Sequence, residues 1–215
     1  MLDPLPETVG TPAGPSVEGA SAPLLSELLA AFERELRAQS VPVDDYLRPG
    51  VPDSEVQAGF EECGLQAPLE ALAWFGWRDG PTRTPNSHLV MPMFMGWSLA
   101  ECVRAYLNPK GQPKGNEPWQ WNPRWLQIMG DANGLAIFCG GAADEAPLVR
   151  GLTQDREYGT QPDQTLRQVV SLCTPVTWWI DALRHGWYRW NVGASAWEDV
   201  DHSKQPRIRA LHALS

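Results

Sequence analysis

Four histidines, four cysteines and a surplus of carboxylates are the groups in this 215-residue chain able to move protons, hold a metal or attack a substrate. Their spacing argues against each use. His88, His185, His202 and His212 are scattered, and His185, just before Gly186, occupies a place where a cation suits a helix carboxyl end. Cys63, Cys102, Cys139 and Cys173 include no pair at the spacing of a zinc knuckle or redox motif, so reduced, buried thiols are expected. There is no Gly-x-Ser-x-Gly elbow, no phosphate-cradling Gly-rich loop with Lys and no His-Glu-x-x-His helix. Asp131-Ala-Asn-Gly lacks the further acceptors and bidentate Glu of a calcium loop and reads as a turn. Glu61 and Glu62, adjacent on a predicted helix, point in different directions and read as solvated acids rather than an acid–base pair. No catalytic residue, metal ligand or cofactor site is assigned, and the chain is expected not to be an enzyme; a hydrolase with an unfamiliar site is the third-ranked alternative.

Charge and aromatic content point to recognition instead. Residues 1–62 hold twelve Asp and Glu against three Arg, which is the whole net charge of −9; the remainder balances fourteen acids with fourteen bases. A neutral body argues against direct nucleic-acid binding, which needs a clustered basic surface. The acidic front suits a basic protein partner, or else a solvated face that aids solubility. Eleven tryptophans must fill a core or line a surface. Trp74, Trp125 and Trp179 have inward-pointing apolar neighbours and are expected in the core. Trp119, Trp121, Trp187 and Trp190 lie beside polar residues near loops and either rim a groove, with Arg78, Arg124 or Arg189 stacked on them, or seal a sheet edge. No run of eighteen apolar residues marks a membrane span and no secretion signal opens the chain, so a cytoplasmic protein is expected.

The elements that would position these groups follow from periodicity and turn chemistry. Residues 1–22, rich in Pro, Gly, Ser and Ala, read as a disordered leader. Leu24, Leu28, Phe32 and Leu36 repeat every four residues and predict a helix over 23–40 with Pro23 in its first turn. Ser54 and Gln57 form a capping-box pattern for a second helix that Gly64 closes. Pro68 opens a third, PLEALAWFGW, and Arg78-Asp79-Gly80 turns the chain. HLVMPMFM at 88–95 reads as an edge strand because of Pro92, and Ser98 with Glu101 starts a helix through Leu107. Two apolar runs, 125–129 and 135–139, joined by Gly-Asp-Ala-Asn-Gly, predict a hairpin to which PLVRGL at 147–152 adds a third strand. A helix is expected from Gln164, capped by Asp163 and kinked or restarted at Pro175, running to Gly186; a last strand or loop reaches Trp197, and 201–215 is a flexible tail. This order predicts one α+β domain over 23–200, a curved antiparallel sheet with helices packed on one side.

Gly64, Leu65 and Pro68, the Trp77–Gly80 turn, and Trp125, Ile128, Gly130, Asp131 and Gly134 with the strand after them resemble the pattern of the SUKH superfamily over residues 54–190. That resemblance, from whose pattern the helix at 23–40, the 108–118 loop and the tryptophan load depart, implies a single α+β domain. It also implies a bacterial immunity protein that binds and neutralises a cognate toxin, often a nuclease, in the cytoplasm; fungal relatives are interaction hubs in cell-wall signalling. The candidate contacts are Glu55, Glu61, Glu62, Asp79, Asp144 and Glu145 for charge, with Trp119 and Trp121 as anchors. The alternative is a small-ligand or signalling module with an aromatic groove. Neither reading calls for a membrane or a cofactor.

Overall fold

The computed structural model describes residues 4–82, 84, 95–108, 123–130, 133–153 and 168–199. The chain begins with a hairpin, β1 (Thr8–Thr11) and β2 (Gly14–Val17), then helix α1 (Ala22–Ala38). A single turn α2 (Val43–Tyr46) leads to β3 (Leu47–Pro49), followed by α3 (Asp53–Glu62), α4 (Leu69–Trp77) and β4 (Arg78–Pro81), which pairs with β3. After β5 (Met95–Gly96) come α5 (Leu99–Leu107) and three strands, β6 (Trp125–Gly130), β7 (Asn133–Phe138) and β8 (Leu148–Thr153). β9 (Gln168–Val170), α6 (Cys173–Arg184), β10 (Tyr188–Asn191) and β11 (Ala196–Asp199) complete the order.

Among the described residues the fold is therefore mixed α and β, with six helices, a five-stranded antiparallel sheet in the order β5-β6-β7-β8-β9 and three two-stranded antiparallel pairs. The predicted hairpin and its third strand are the middle of that sheet. Ile137 faces Val149, which faces Val169, and all three are essentially unexposed. The other face is covered too: Trp125 is only 5% exposed and carries the Arg150 guanidinium 4.5 Å above its ring.

Helix α1 is the axis of the core. Its period of four places Leu25, Leu28, Leu29, Phe32 and Leu36 at zero exposure, between α4 on one side and α6 on the other. Phe32 meets Trp179 at 5.7 Å between ring centroids, Trp179 meets Trp74 at 6.3 Å, and Trp74 meets Trp77 at 5.9 Å. Trp74, Trp125 and Trp179 are thus interior, as their neighbours predict.

Several elements differ from expectation. Residues 8–17, expected in a disordered leader, form the β1–β2 hairpin: Val17 is buried, Trp178 Nε1 donates to Thr8 Oγ1 at 3.2 Å, and Gln168 Nε2 donates to the Ala13 carbonyl at 2.9 Å. Gly14, at φ +123°, lies so close to the Gln168 backbone that a Cβ would stand 2.5 Å from its carbonyl oxygen. The Ser54–Gln57 capping box does not form, because α3 starts two residues earlier than that box requires, behind Pro52, whose extended backbone serves as N-cap. Residues 168–170, expected in a helix, are strand β9; Ser171 at φ +70° breaks the chain before α6, and Pro175 falls within the first turn, where its missing N–H costs nothing. Residues 78–81 are a strand, not only a turn, and the 187–197 stretch is the β10–β11 hairpin. The expected strand residues 88–94, the helix start near Gln164 and the tail 201–215 lie outside the described residues.

Candidate functional site

Helix α3 carries four exposed acids. Val56 and Phe60, four apart, bury one stripe, which turns Asp53, Glu55, Glu61 and Glu62 to solvent. Asp53 and Glu55 complement the positive end of the helix dipole. Glu61 and Glu62 stand at the other end, where the last turn has no basic residue and the dipole disfavours anions. Cys63 caps the helix and Gly64 follows at φ +67°, as its sequence position predicts. None of the four acids makes an ion pair among the described residues.

Asp144 and Glu145 are exposed on the 140–147 loop between β7 and β8. That loop is pinned at two points: its Ala143 carbonyl accepts the Leu69 N–H at 2.8 Å, and its Pro147 carbonyl accepts the Ser171 N–H at 2.7 Å. Glu145 Oε2 accepts the Ala142 N–H at 3.4 Å, closing the loop on itself.

Asp79 is a different case from the other candidates. Its carboxylate accepts the Leu99 N–H at 2.7 Å and lies 3.8 Å from Arg48, so it caps α5 beside the Ser98–Glu101 capping box. Burial pushes its carboxyl above the usual range, against the opposing pull of the Leu99 N–H and Arg48. It is a half-buried clamp rather than an open contact, because β4 turns it inward. Trp119 and Trp121 lie outside the described residues. Trp190 is buried against Trp197 at 5.3 Å, the edge-sealing role, while half-buried Trp187 stacks on His185 at 5.2 Å. His185 itself is the C-cap of α6.

Two clusters carry little signal in the sequence. In the first, Glu33 of α1 accepts from Arg37, Arg78 and Trp77 Nε1, and Asp44 accepts from both arginines. In the second, Glu70 of α4 is 2% exposed; Oε1 accepts from Ser171 Oγ and Oε2 from the Leu172 N–H, each at 2.7 Å. Glu70 is the one acid in the apolar run LEALAWFGW, and that isolation was the available clue.

What chemistry could these groups perform? Ser171 sits on a strand-to-helix turn at positive φ with a carboxylate on its hydroxyl, the outline of an activated nucleophile, yet it has no exposed surface through which a substrate could reach it. Burial pushes the thiols of Cys63 and Cys173 up to about 11 and that of Cys139 up to about 12, leaving neutral, poorly nucleophilic sulfurs. The described residues include no group of three or more His, Cys, Asp or Glu arranged for a metal. A cavity of about 20 Å³ between Trp74, Trp77, Trp97 and Met129 has room for about one water molecule. No helix among the described residues is long and apolar enough to cross a membrane. Among the described residues the unpaired surface acids are gathered on α3 and the 140–147 loop, with Glu7, Glu18, Glu27 and Asp45 scattered elsewhere. No family model and no curated protein sequence matches the chain.

Proposed function

We propose that this chain is a non-catalytic, SUKH-like binding protein: an immunity protein that captures a cognate bacterial toxin in the cytoplasm and covers its active surface. The partner presents a basic face, as nucleases do. The observation that carries this reading is the division of the acids. Glu33, Glu35, Asp44, Asp79 and Glu101 are ion-paired within the fold or at its surface, whereas among the described residues Asp53, Glu55, Glu61, Glu62 and Asp144, like the scattered Glu7, Glu18, Glu27 and Asp45, have no cation, and only α3 gathers four of them on one short helix. Two of these, Glu61 and Glu62, stand where the helix dipole opposes them, a local cost of the kind retained for a surface that is used. The resemblance of Gly64, Leu65, Pro68 and the 125–138 hairpin to the SUKH pattern supports the same reading.

Co-expression with the carboxy-terminal domain of a toxin encoded beside this gene tests it. Growth is restored and a stoichiometric complex elutes as one peak. Absence of both rescue and complex overturns the immunity reading, and turnover of a substrate by the purified protein alone overturns the non-catalytic one.

A further inference from the structure

The amino ends of α4 and α6 meet at one buried carboxyl group, and that of α1 is tied to the same joint one residue further on. Glu70 is in the first turn of α4; its acceptor oxygens hold Ser171 and Leu172 at the start of α6; and Cys173, next along, donates its thiol to the carbonyl of Ser21, the N-cap of α1, at 3.4 Å. Ser171 Oγ also accepts the Cys173 N–H at 2.9 Å. The donors to Glu70 are thus a hydroxyl and a backbone amide, both neutral. A carboxylate buried without a cation is costly. A protonated carboxyl fits the same distances, because its O–H can donate to Ser171 Oγ while the other oxygen keeps the Leu172 N–H.

The groups facing Glu70 leave it without compensation. α4 has no other ionisable side chain, and β9 has none. On α6, the Cys173 thiol is pushed up to about 11 and is neutral, while Asp181 and Arg184 lie at the far end with His185 and Glu35. On α1, Glu33 and Arg37 are engaged with Arg78 and Asp44. Burial accordingly raises the Glu70 carboxyl above its ordinary range, the Ser171 and Leu172 hydrogen bonds pulling the other way.

The same joint holds the 140–147 loop. Leu69, the residue before Glu70, donates to Ala143, and Ser171, which Glu70 grips, donates its N–H to Pro147. We propose that Glu70 is a proton-dependent positioning residue: uncharged, it locks α4, α6 and the 140–147 loop together; charged, it loosens that joint and the presentation of Asp144 and Glu145. The contact role of those two acids rests on the proposed function; the loosening of the joint does not.

Stability carries the sign. A raised folded pKa means that the folded state holds the proton more tightly, so the contribution is complete below the ordinary glutamate value and is lost as pH rises through the folded value. Each unit of elevation is a tenfold change in the opening equilibrium. The test is amide hydrogen exchange, corrected for intrinsic rates, at Leu69, Ser171 and Leu172 from pH 4.5 to 8 in wild type and Glu70→Gln. Protection in wild type is expected to fall roughly tenfold or more with rising pH relative to the variant. Parallel profiles overturn the proposal. Carbon-13 NMR titration of the Glu70 carboxyl in the wild-type protein gives a second reading: a midpoint above 4.5 supports it and one at or below 4.5 overturns it, even if Glu70→Gln fails to fold. Neither measurement involves a partner, so either can fail independently of the immunity reading.

Discussion

Glu33 on α1 and Arg78 on β4 are joined through two hydrogen bonds, Nη2 to Oε1 at 2.8 Å and Nε to Oε2 at 3.2 Å, and the Trp77 indole donates to the same carboxylate at 2.9 Å. Helix and strand are thereby fixed at a point 45 residues apart in sequence. Burial raises the Glu33 carboxyl, but the hydrogen bonds from Arg78, Arg37 and Trp77 outweigh it and hold the group below its usual value, while the arginines hold Asp44 at about 2. Lowered folded values mean stability that is present above the ordinary carboxylate range and lost as pH falls through the folded values. Urea unfolding is therefore expected to show stability dropping from pH 4 toward pH 2. Arg78→Ala should cost about 2 kcal/mol at pH 7, the worth of hydrogen bonds to a charged group, and should flatten that acid limb. An unchanged limb would refute the assignment.

Gly50 meets Gly76 backbone to backbone. A Cβ on Gly50 would overlap the Gly76 carbonyl oxygen, and the Val51 N–H beside it donates to the Phe75 carbonyl at 3.0 Å. Both partners are main chain and cannot rotate away. Gly50→Ala is expected to destabilise by roughly 2–3 kcal/mol, the scale of overpacking. Gly76→Ala, whose added methyl meets no atom nearer than 3.9 Å, should cost much less. Denaturation midpoints of the two variants, compared side by side, decide the matter.

Glu61 and Glu62 should behave oppositely to Asp79. Replacing either glutamate by Gln removes an anion from the wrong end of a dipole and should raise stability by ~0.5 kcal/mol. Asp79→Ala removes the acceptor of the Leu99 N–H and should lower stability by about 1 kcal/mol. Toxin binding should follow the reverse pattern: the double Gln variant slows association roughly tenfold at low salt, and high salt erases the difference. Stopped-flow association with the toxin domain provides the measurement.

The four cysteines offer a direct readout of packing. All are buried and their thiols are pushed upward, Cys102 the most enclosed of those near α3. Ellman's reagent at pH 7.5 should label none rapidly in native protein and all four in urea. Rapid labelling of one thiol in the native state would place it at the surface and contradict the fold around it.

What the sequence revealed depended on how locally each signal is written. The four-residue period of α1, the Ser98–Glu101 capping box, Gly64 and the 125–138 hairpin are local patterns, and each element lies where its pattern predicts. The β1–β2 hairpin is not legible locally because its composition, Thr, Gly, Pro and Ser, is that of a loop; its order comes from β9 and Trp178, more than 150 residues onward. Val169 and Val170 suit helix or strand alike, and the choice was made by pairing with β8 and by the left-handed Ser171. Asp79 reads as an exposed turn acid because nothing nearby in the chain says that Leu99 will need its carboxylate. Of the acids singled out, Glu55, Glu61, Glu62, Asp144 and Glu145 do lie in the open, since charge at polar positions is usually solvated.

The central helix has a consequence for how the molecule comes into being. α1 emerges from the ribosome well before α6, one of the surfaces that cover it, and Gln39 just beyond it hydrogen-bonds to Tyr188 and Trp190 about 150 positions later. At ~10 residues per second, α4 follows within about five seconds, but the side of α1 that α6 covers, Phe32 against Trp179 included, waits on the order of fifteen seconds for its partner. During that interval the nascent chain displays part of an apolar stripe that the finished molecule hides, a surface open to chaperones and to misassembly.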